Sequence, residues 1–370
     1  VGLLTAFSGL TGGVALGEAL VVAPPKDSTA LFGSYYGLGF SDGELYLHTG
    51  NSIYVLDRSG GETPSFRLYM TGLEFAFGGP RRGYEGTFAA GPGGKALVSM
   101  GFTDGGALLV DLTTRTTRVV PDFDGDGSND DNIFSAAVGA EGRIYAMWAS
   151  RRFFPVDATR IYAIDPVTLE TRLVADVNPG EYSGGLALDS QGNLYAGTFV
   201  AGQFPNPVGT AKLFLLNAGE LNGNALAKAT PIGGGASNGN IWTVVDRKGS
   251  VFIGTPTGIG VLRPGSTKIR NFYGNITDEG LFSNPKFILE GLAYDPVNDK
   301  IAFLETEKGT VQYVPKVLPV PEPASLALMI FGLIGWGSRR KRVSGQRLRL
   351  GVNPGVNPGV NPGVNNPGAS

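Results

Sequence analysis

Gly184-Gly185-Leu186-Ala187-Leu188-Asp189-Ser190-Gln191-Gly192-Asn193-Leu194-Tyr195-Ala196-Gly197 reads as a strand, a tight turn and a second strand. Leu186 and Leu188 alternate with small or polar neighbours, the period of a strand with one buried face. Asp189 to Asn193 supply turn chemistry, and Gly192 is free to take positive φ. Leu194-Tyr195-Ala196 then restarts the extended pattern.

The unit recurs at residues 39–47, 88–98, 136–146, 242–252 and 291–302. The turns fall about every 50 residues, which is the spacing of propeller blades. A third strand follows at residues 52–57, 107–111, 160–165, 212–216 and 310–314, and a more polar fourth at 116–120 and 171–175. Four strands per unit is the anatomy of a blade. No helix-length amphipathic pattern interrupts this region, and the 58 glycines favour many short strands joined by turns. The expectation is an all-β protein: a β-propeller of about six four-stranded blades over residues 20–316. The last unit lacks a fourth strand of its own and runs into a proline-rich stretch. An open ring leaves unpaired edges, so residues 19–23 or 29–32 are expected to complete that blade.

There are no cysteines, which excludes disulfide staples and thiolate metal sites, and His48 is the only histidine. A lone His on a strand between Leu47 and Thr49 reads as a packed or surface residue and not a catalyst, and no compact His, Cys or Ser constellation is present for nucleophilic catalysis. The formal charge of −2 hides an asymmetry. From residue 323 onward there are six basic side chains and no acidic ones, so the remainder holds 24 basic against 32 acidic, a net of −8. An acidic propeller of this kind is a poor binder of nucleic acid. Gly233-Gly234-Gly235 lacks the Lys-Ser/Thr partner of a phosphate-binding loop.

Both termini carry targeting features. Residues 1–19 are small and apolar with no charge before Glu18, like the hydrophobic part of a secretory signal. At the other end the prolines near Pro321 bar helix entry before Ala324, and residues 324–338 form an apolar run followed by Arg339-Arg340-Lys341-Arg342. As a helix that run is roughly 20 Å long, short for a bilayer core of about 30 Å. The basic cluster stays cytoplasmic and leaves the propeller on the far side. Residues 343–370, with Gly-Val-Asn-Pro repeated from Gly351, cannot build a packed core and are expected to be disordered.

The order Pro-Glu-Pro, apolar helix, basic cluster resembles the PEP-CTERM sorting signal of bacterial exported proteins. The resemblance covers residues 319–342. It implies that Pro321, Glu322 and Pro323 are the recognition element for a membrane-embedded exosortase and that Arg339, Arg340, Lys341 and Arg342 are the stop-transfer element. It also implies anchoring in the membrane through 324–338 and a destination at the cell surface or in an exopolysaccharide matrix. Such signals normally end the chain soon after the basic cluster, and here a tail continues.

Two candidate sites stand out. Asp122-Phe123-Asp124-Gly125-Asp126-Gly127-Ser128-Asn129-Asp130-Asp131 spaces carboxylates at alternate positions, as at the start of an EF-hand-type calcium loop. Asp122, Asp124, Asp126 and Asp130 offer carboxylates and Ser128 its carbonyl to a structural calcium ion. Ile133 stands where the bidentate Glu of such a loop belongs, and Asp131 is the available substitute. The bland alternative is a solvated acidic turn, although carboxylates this close repel one another unless a cation neutralises them. The second candidate is the mouth of the central channel, where Glu85, Glu181, Asn240 and Glu290 fall near the starts of innermost strands. That set resembles the metal-holding residues of gluconolactonase-like propellers, which implies a calcium-dependent lactonase as an alternative function. The first expectation is a binding or structural propeller for exopolysaccharide or another surface protein, with aromatics such as Phe153, Phe154 and Phe204 available to stack on sugars.

Overall fold

The structure is a computed structural model that describes residues 20–22, 35–49, 52–57, 65–73, 87–99, 107–120, 123, 133–149, 159–177, 182–200, 208–239, 242–277, 289–305 and 310–315. Six antiparallel sheets of four strands each account for nearly all of them. Blade 1 holds β2 (Tyr35–Ser41), β3 (Glu44–Thr49), β4 (Ser52–Asp57) and β5 (Ser65–Thr71). Blade 2 holds β6 (Thr87–Gly91), β7 (Lys95–Ser99), β8 (Ala107–Asp111) and β9 (Thr116–Val120). Blade 3 holds β10 (Ile133–Val138), β11 (Ile144–Ala149), β12 (Thr159–Ile164) and β13 (Thr171–Asp176). Blade 4 holds β14 (Tyr182–Leu188), β15 (Leu194–Val200), β16 (Gly209–Leu216) and β17 (Thr230–Ser237). Blade 5 holds β18 (Trp242–Val245), β19 (Val251–Thr255), β20 (Gly258–Leu262) and β21 (Arg270–Gly274). Blade 6 holds β22 (Leu289–Asp295), β23 (Lys300–Glu305), β24 (Thr310–Pro315) and, from the other end of the chain, β1 (Leu20–Val22).

The first strand of each blade is innermost. β2 lies against β6 and β22, β10 against β6 and β14, and β18 against β14 and β22, so the ring closes on itself. The closing strand is the earlier of the two candidates. β1 pairs antiparallel with β24 in the register Leu20↔Tyr313, Val21↔Gln312, Val22↔Val311. Residues 29–32 lie outside the described residues. The last sheet is thereby stitched from both ends of the chain, and β24 is hydrogen-bonded on both edges.

The core is divided into six apolar clusters, one between each pair of neighbouring blades. Between blades 3 and 4, for instance, Met147 and Ile161 pack with Leu186, Leu194 and Phe214. Middle strands are therefore buried on both faces: every residue of β20 is buried, and all of β3 except Glu44. Outer strands face solvent, as in β9, where only Val120 is buried.

At the centre the strands approach so closely that some positions admit no side chain. A Cβ on Gly185 would press on the amide nitrogen of Thr243 and lie 2.5 Å from the carbonyl carbon of Trp242. Outer strands are tied by other means. Gly234 of β17 receives a hydrogen bond from Ile269 N–H (3.1 Å) and donates its own N–H to the Thr267 carbonyl (3.1 Å) in the next blade. The triple glycine is thus a strand whose bare edge lets blade 5 seal against blade 4. Two arginines on outer strands do the same for other joints. Arg118 donates to the Pro166 and Val167 carbonyls, and Arg172 to those of Gly223 and Leu221. Leu221 belongs to the short helix α1 (Ala218–Leu221), the only α-helix among the described residues.

Candidate functional site

Alternating strand directions give the ring two unlike faces. The turns from first to second strand and from third to fourth strand share one face, here the turn face. The chain between blades and between second and third strands lies on the other, here the mouth face.

The turn face is built from aspartates that fold back on their own backbone. Asp189 Oδ1 accepts N–H bonds from Gln191 (2.8 Å) and Asn193 (2.9 Å), and Gly192 takes φ +81°, as the opening stretch requires. Asp246 repeats this with Lys248 (2.7 Å) and Ser250 (2.9 Å), and Asp295 with Val297 (2.8 Å) and Asn298 (3.0 Å). Asp165 does so on the third-to-fourth turn of blade 3, where the N–H groups of Thr168 and Val167 hold its carboxyl below the usual carboxylate range. These carboxylates are structural. Tyr195 and Tyr294 sit over this face, and burial followed by a nearby Asp raises the pKa of each phenol, Tyr294 to about 12.

At the mouth face hydroxyls link one blade to the next. Thr87 N–H donates to Ser99 Oγ (3.4 Å), and the Ser99 hydroxyl donates to the Ile133 carbonyl (2.9 Å) at the start of β10. Ser135 of that strand donates in turn to the Gly184 carbonyl of β14 (2.7 Å). His48 is fully buried on β3, its ring 5.8 Å from that of Phe88 in the next blade, and so it belongs to the packing between blades.

Of the proposed channel residues, Glu85, Glu181 and Asn240 lie outside the described residues. Each stands one or two positions before an innermost strand: β6, β14 and β18. Glu290 is the second residue of β22, at the irregularity between the pairs Leu289↔Glu305 and Gly291↔Leu304. Of the carboxylate loop all but Phe123 lies outside them, including Asp122, Asp124, Asp126, Ser128 and Asp130. Phe123 and Ile133 are each 1% exposed, and the Phe123 carbonyl accepts a hydrogen bond from Thr171 Oγ1 (3.1 Å). Among the described residues no group of three or more His, Cys, Asp or Glu is placed to hold a metal ion. Phe153, Phe154, Phe204 and all residues from 316 onward are likewise outside the described residues. Among the described residues no helix is long and apolar enough to cross a membrane.

The inter-blade hydroxyls and arginines had no signal in the sequence beyond their residue types. They are found only once the blades are set side by side.

Residues 319–342 match the PEP-CTERM protein-sorting motif. No curated protein matches the chain in sequence. Among solved structures the chain is similar to a gluconolactonase from Xanthomonas campestris, with a TM-score of 0.53 and 14% identity over 81% of this chain and 90% of that one. It is also similar to an auxiliary nutrient binding protein from Bacteroides thetaiotaomicron, with a TM-score of 0.49 and 13% identity over 76% of this chain and 69% of that one. At such identities the likeness is one of fold. The motif implies export, processing by an exosortase-type enzyme and membrane anchoring through the C-terminal region. The chain is a six-bladed β-propeller with a gluconolactonase among its structural neighbours, and it carries the PEP-CTERM protein-sorting motif behind its last blade.

Proposed function

We propose that this is a surface- or exopolysaccharide-associated binding propeller, delivered by its C-terminal signal and held outside the cytoplasm. The match of residues 319–342 to a sorting motif, directly after a closed propeller, carries the reading. Short turns tied by their own aspartates suit one face to a structural role, and loops placed on a rigid scaffold suit the mouth face to binding. The experiment is expression of the full chain, with and without Glu322→Ala, in hosts that have or lack an exosortase. Processed protein in the surface or matrix fraction is expected only for the unchanged signal with the enzyme present. Equal release in all four combinations removes the sorting role. Retention of exopolysaccharide by the delivered protein tests the binding role.

A second reading is calcium-dependent lactone hydrolysis at the mouth. One observation favours it: Glu85, Glu181 and Asn240 stand just before three innermost strands, and Glu290 within the first residues of a fourth. A lactone-hydrolysis assay with calcium, repeated on Glu290→Gln, separates it from binding. Calcium at Asp122, Asp124, Asp126, Ser128 and Asp130 is proposed as structural, since Phe123 within the segment and Ile133 just after it are buried. Isothermal titration at millimolar calcium checks it. Heat and a raised melting temperature are expected, both lost in Asp124→Asn/Asp126→Asn.

A further inference from the structure

Four of the six innermost strands carry a β-bulge, and each bulge lies toward the mouth end of its strand. In β2 the pairing steps from Tyr35↔Thr49 to Gly37↔His48, which leaves Tyr36 as the extra residue. β10 steps from Ile133↔Trp148 to Ser135↔Met147 around Phe134, and β22 from Leu289↔Glu305 to Gly291↔Leu304 around Glu290. β14 steps from Ser183↔Thr198 to Leu186↔Ala196 across Gly184 and Gly185. β6 and β18 pair without a shift over their described residues. The bulged strands therefore form two adjacent pairs, in blades 6 and 1 and in blades 3 and 4, separated by the regular blades 2 and 5.

β10 shows what a bulge does here. Ile133 and Ala136 both pack in the cluster shared with blade 2, while Ser135 donates toward blade 4, to the Gly184 carbonyl at 2.7 Å. Strict alternation cannot put residues three apart on one face. The bulge absorbs the odd spacing, and Phe134 is the residue it takes out of the alternation. Phe134 is half-buried in a strand whose other residues are buried. Tyr36 and Glu290 hold the matching position: like Phe134, each stands two residues before a core residue, Leu38, Ala136 or Leu292. On blade 4 Gly184 stands there, two before Leu186.

Each innermost strand is paired on one edge only, so its other edge offers backbone N–H and C=O groups to the channel. Aromatic rings present flat apolar faces, and a carboxylate accepts hydrogen bonds from hydroxyls. Those three features together suit the apolar faces and hydroxyl rim of a sugar. The chain before residue 323 is net acidic, which favours a neutral saccharide over a polyanion.

We infer that the bulged positions form a subsite for one sugar unit of a neutral polysaccharide. Phe134 and Tyr36 stack on sugar faces, Glu290 accepts hydroxyl hydrogen bonds, and Gly184 leaves room on the blade 4 side. The inference rests on the reading of the mouth face as a polysaccharide-binding surface and deepens it by naming the residues responsible.

The full chain is run by affinity electrophoresis in gels containing hydroxyethylcellulose, laminarin, galactomannan or dextran, with polygalacturonate as the acidic comparison. Retardation by at least one neutral polysaccharide is expected. Phe134→Leu and Tyr36→Leu are each expected to weaken it about three- to tenfold, the range of one aromatic contact. Phe134→Tyr keeps a flat ring and is expected to bind as the parent does. Phe272→Leu changes a half-buried aromatic of the outer strand β21 and is expected to leave binding unchanged. Melting curves establish that each variant is folded, and Tyr36→Leu carries the test if Phe134→Leu is not. A parent retarded by none of the gels defeats the polysaccharide reading and the inference together. Parental binding that survives both leucine changes, falls equally in Phe134→Tyr or Phe272→Leu, or is confined to polygalacturonate overturns the inference alone.

Discussion

Gly185→Ala tests the close approach of blades at the ring's centre. The added Cβ would meet backbone atoms of Thr243 and Trp242, not the tip of a side chain that can swing away. With the Trp242 carbonyl carbon at 2.5 Å and the Thr243 nitrogen nearer still, β14 and β18 must part by at least about 0.9 Å to restore a 3.4 Å contact. A gap of 0.5–1 Å forfeits a quarter to a half of the dispersion energy of the atoms that line it. The cluster at this joint comprises Ala187, Ala211, Leu213, Val245, Val251, Ile253 and Leu262. Overpacking costs about 1–3 kcal/mol, and a backbone obstacle places this change at the upper end, about 3 kcal/mol. For a domain of this size that is about 6 °C in melting temperature. Gly219→Ala is the matched control: it lies in α1 with nothing within 4 Å of its Cβ, so it is expected to be neutral or slightly stabilising. Far-ultraviolet circular dichroism during heating, together with urea midpoints, measures both. A Gly185→Ala protein that melts with the parent refutes the claim that backbone contact between blades 4 and 5 sets the ring.

Two further outcomes follow from the same geometry. Removing residues 1–34 deletes β1 and bares the outer edge of β24 over three paired positions; at about 1 kcal/mol per lost bond the melting temperature is expected to fall by about 6 °C. An unchanged melting curve rules out the closure. Alkaline pH acts most strongly through two tyrosines: Tyr46, pushed up to about 12 by burial and then by Tyr69, and Tyr294, pushed up to about 12 by burial and then by its hydrogen bond to Asp299. An unfolded tyrosine titrates near 10, so their contribution is complete below about pH 10 and is lost as pH rises toward 12. Urea midpoints at pH 8, 10 and 11.5 are expected to be level and then fall, with a shallower fall in Tyr46→Phe; no fall counts against these assignments.

The strand-turn-strand unit was legible because three independent signals agree in it: alternation, an Asp able to bond its own backbone, and a glycine free to take positive φ. Asp189 and Gly192 do what their types suggest. Later strands were harder to read where packing removed the residues that mark strands. β20 shows no third-strand signature because Gly258 and Gly260 stand where a Cβ would strike Asn275 and Ile269, each at 2.7 Å. β17 contains Gly233-Gly234-Gly235 because blade 5 bonds to its edge. In a propeller the demand for close approach between sheets competes with β propensity, and at these positions it wins.

The site was less legible for a different physical reason. A blade repeats because each sheet must bury the same two faces, so periodicity reports packing and nothing else. Residues free to vary on such a ring lie in the chain between repeats, where no period constrains them, and the proposed Glu85, Glu181 and Asn240 fall there in sequence, each within two positions of an innermost strand. What sequence could offer was their position in the chain, just before β6, β14 and β18. The turn face shows the converse. Its aspartates look like metal ligands when read as residue types, yet Asp189, Asp246 and Asp295 each spend an oxygen on two N–H groups of their own turn. A carboxylate so engaged holds the fold.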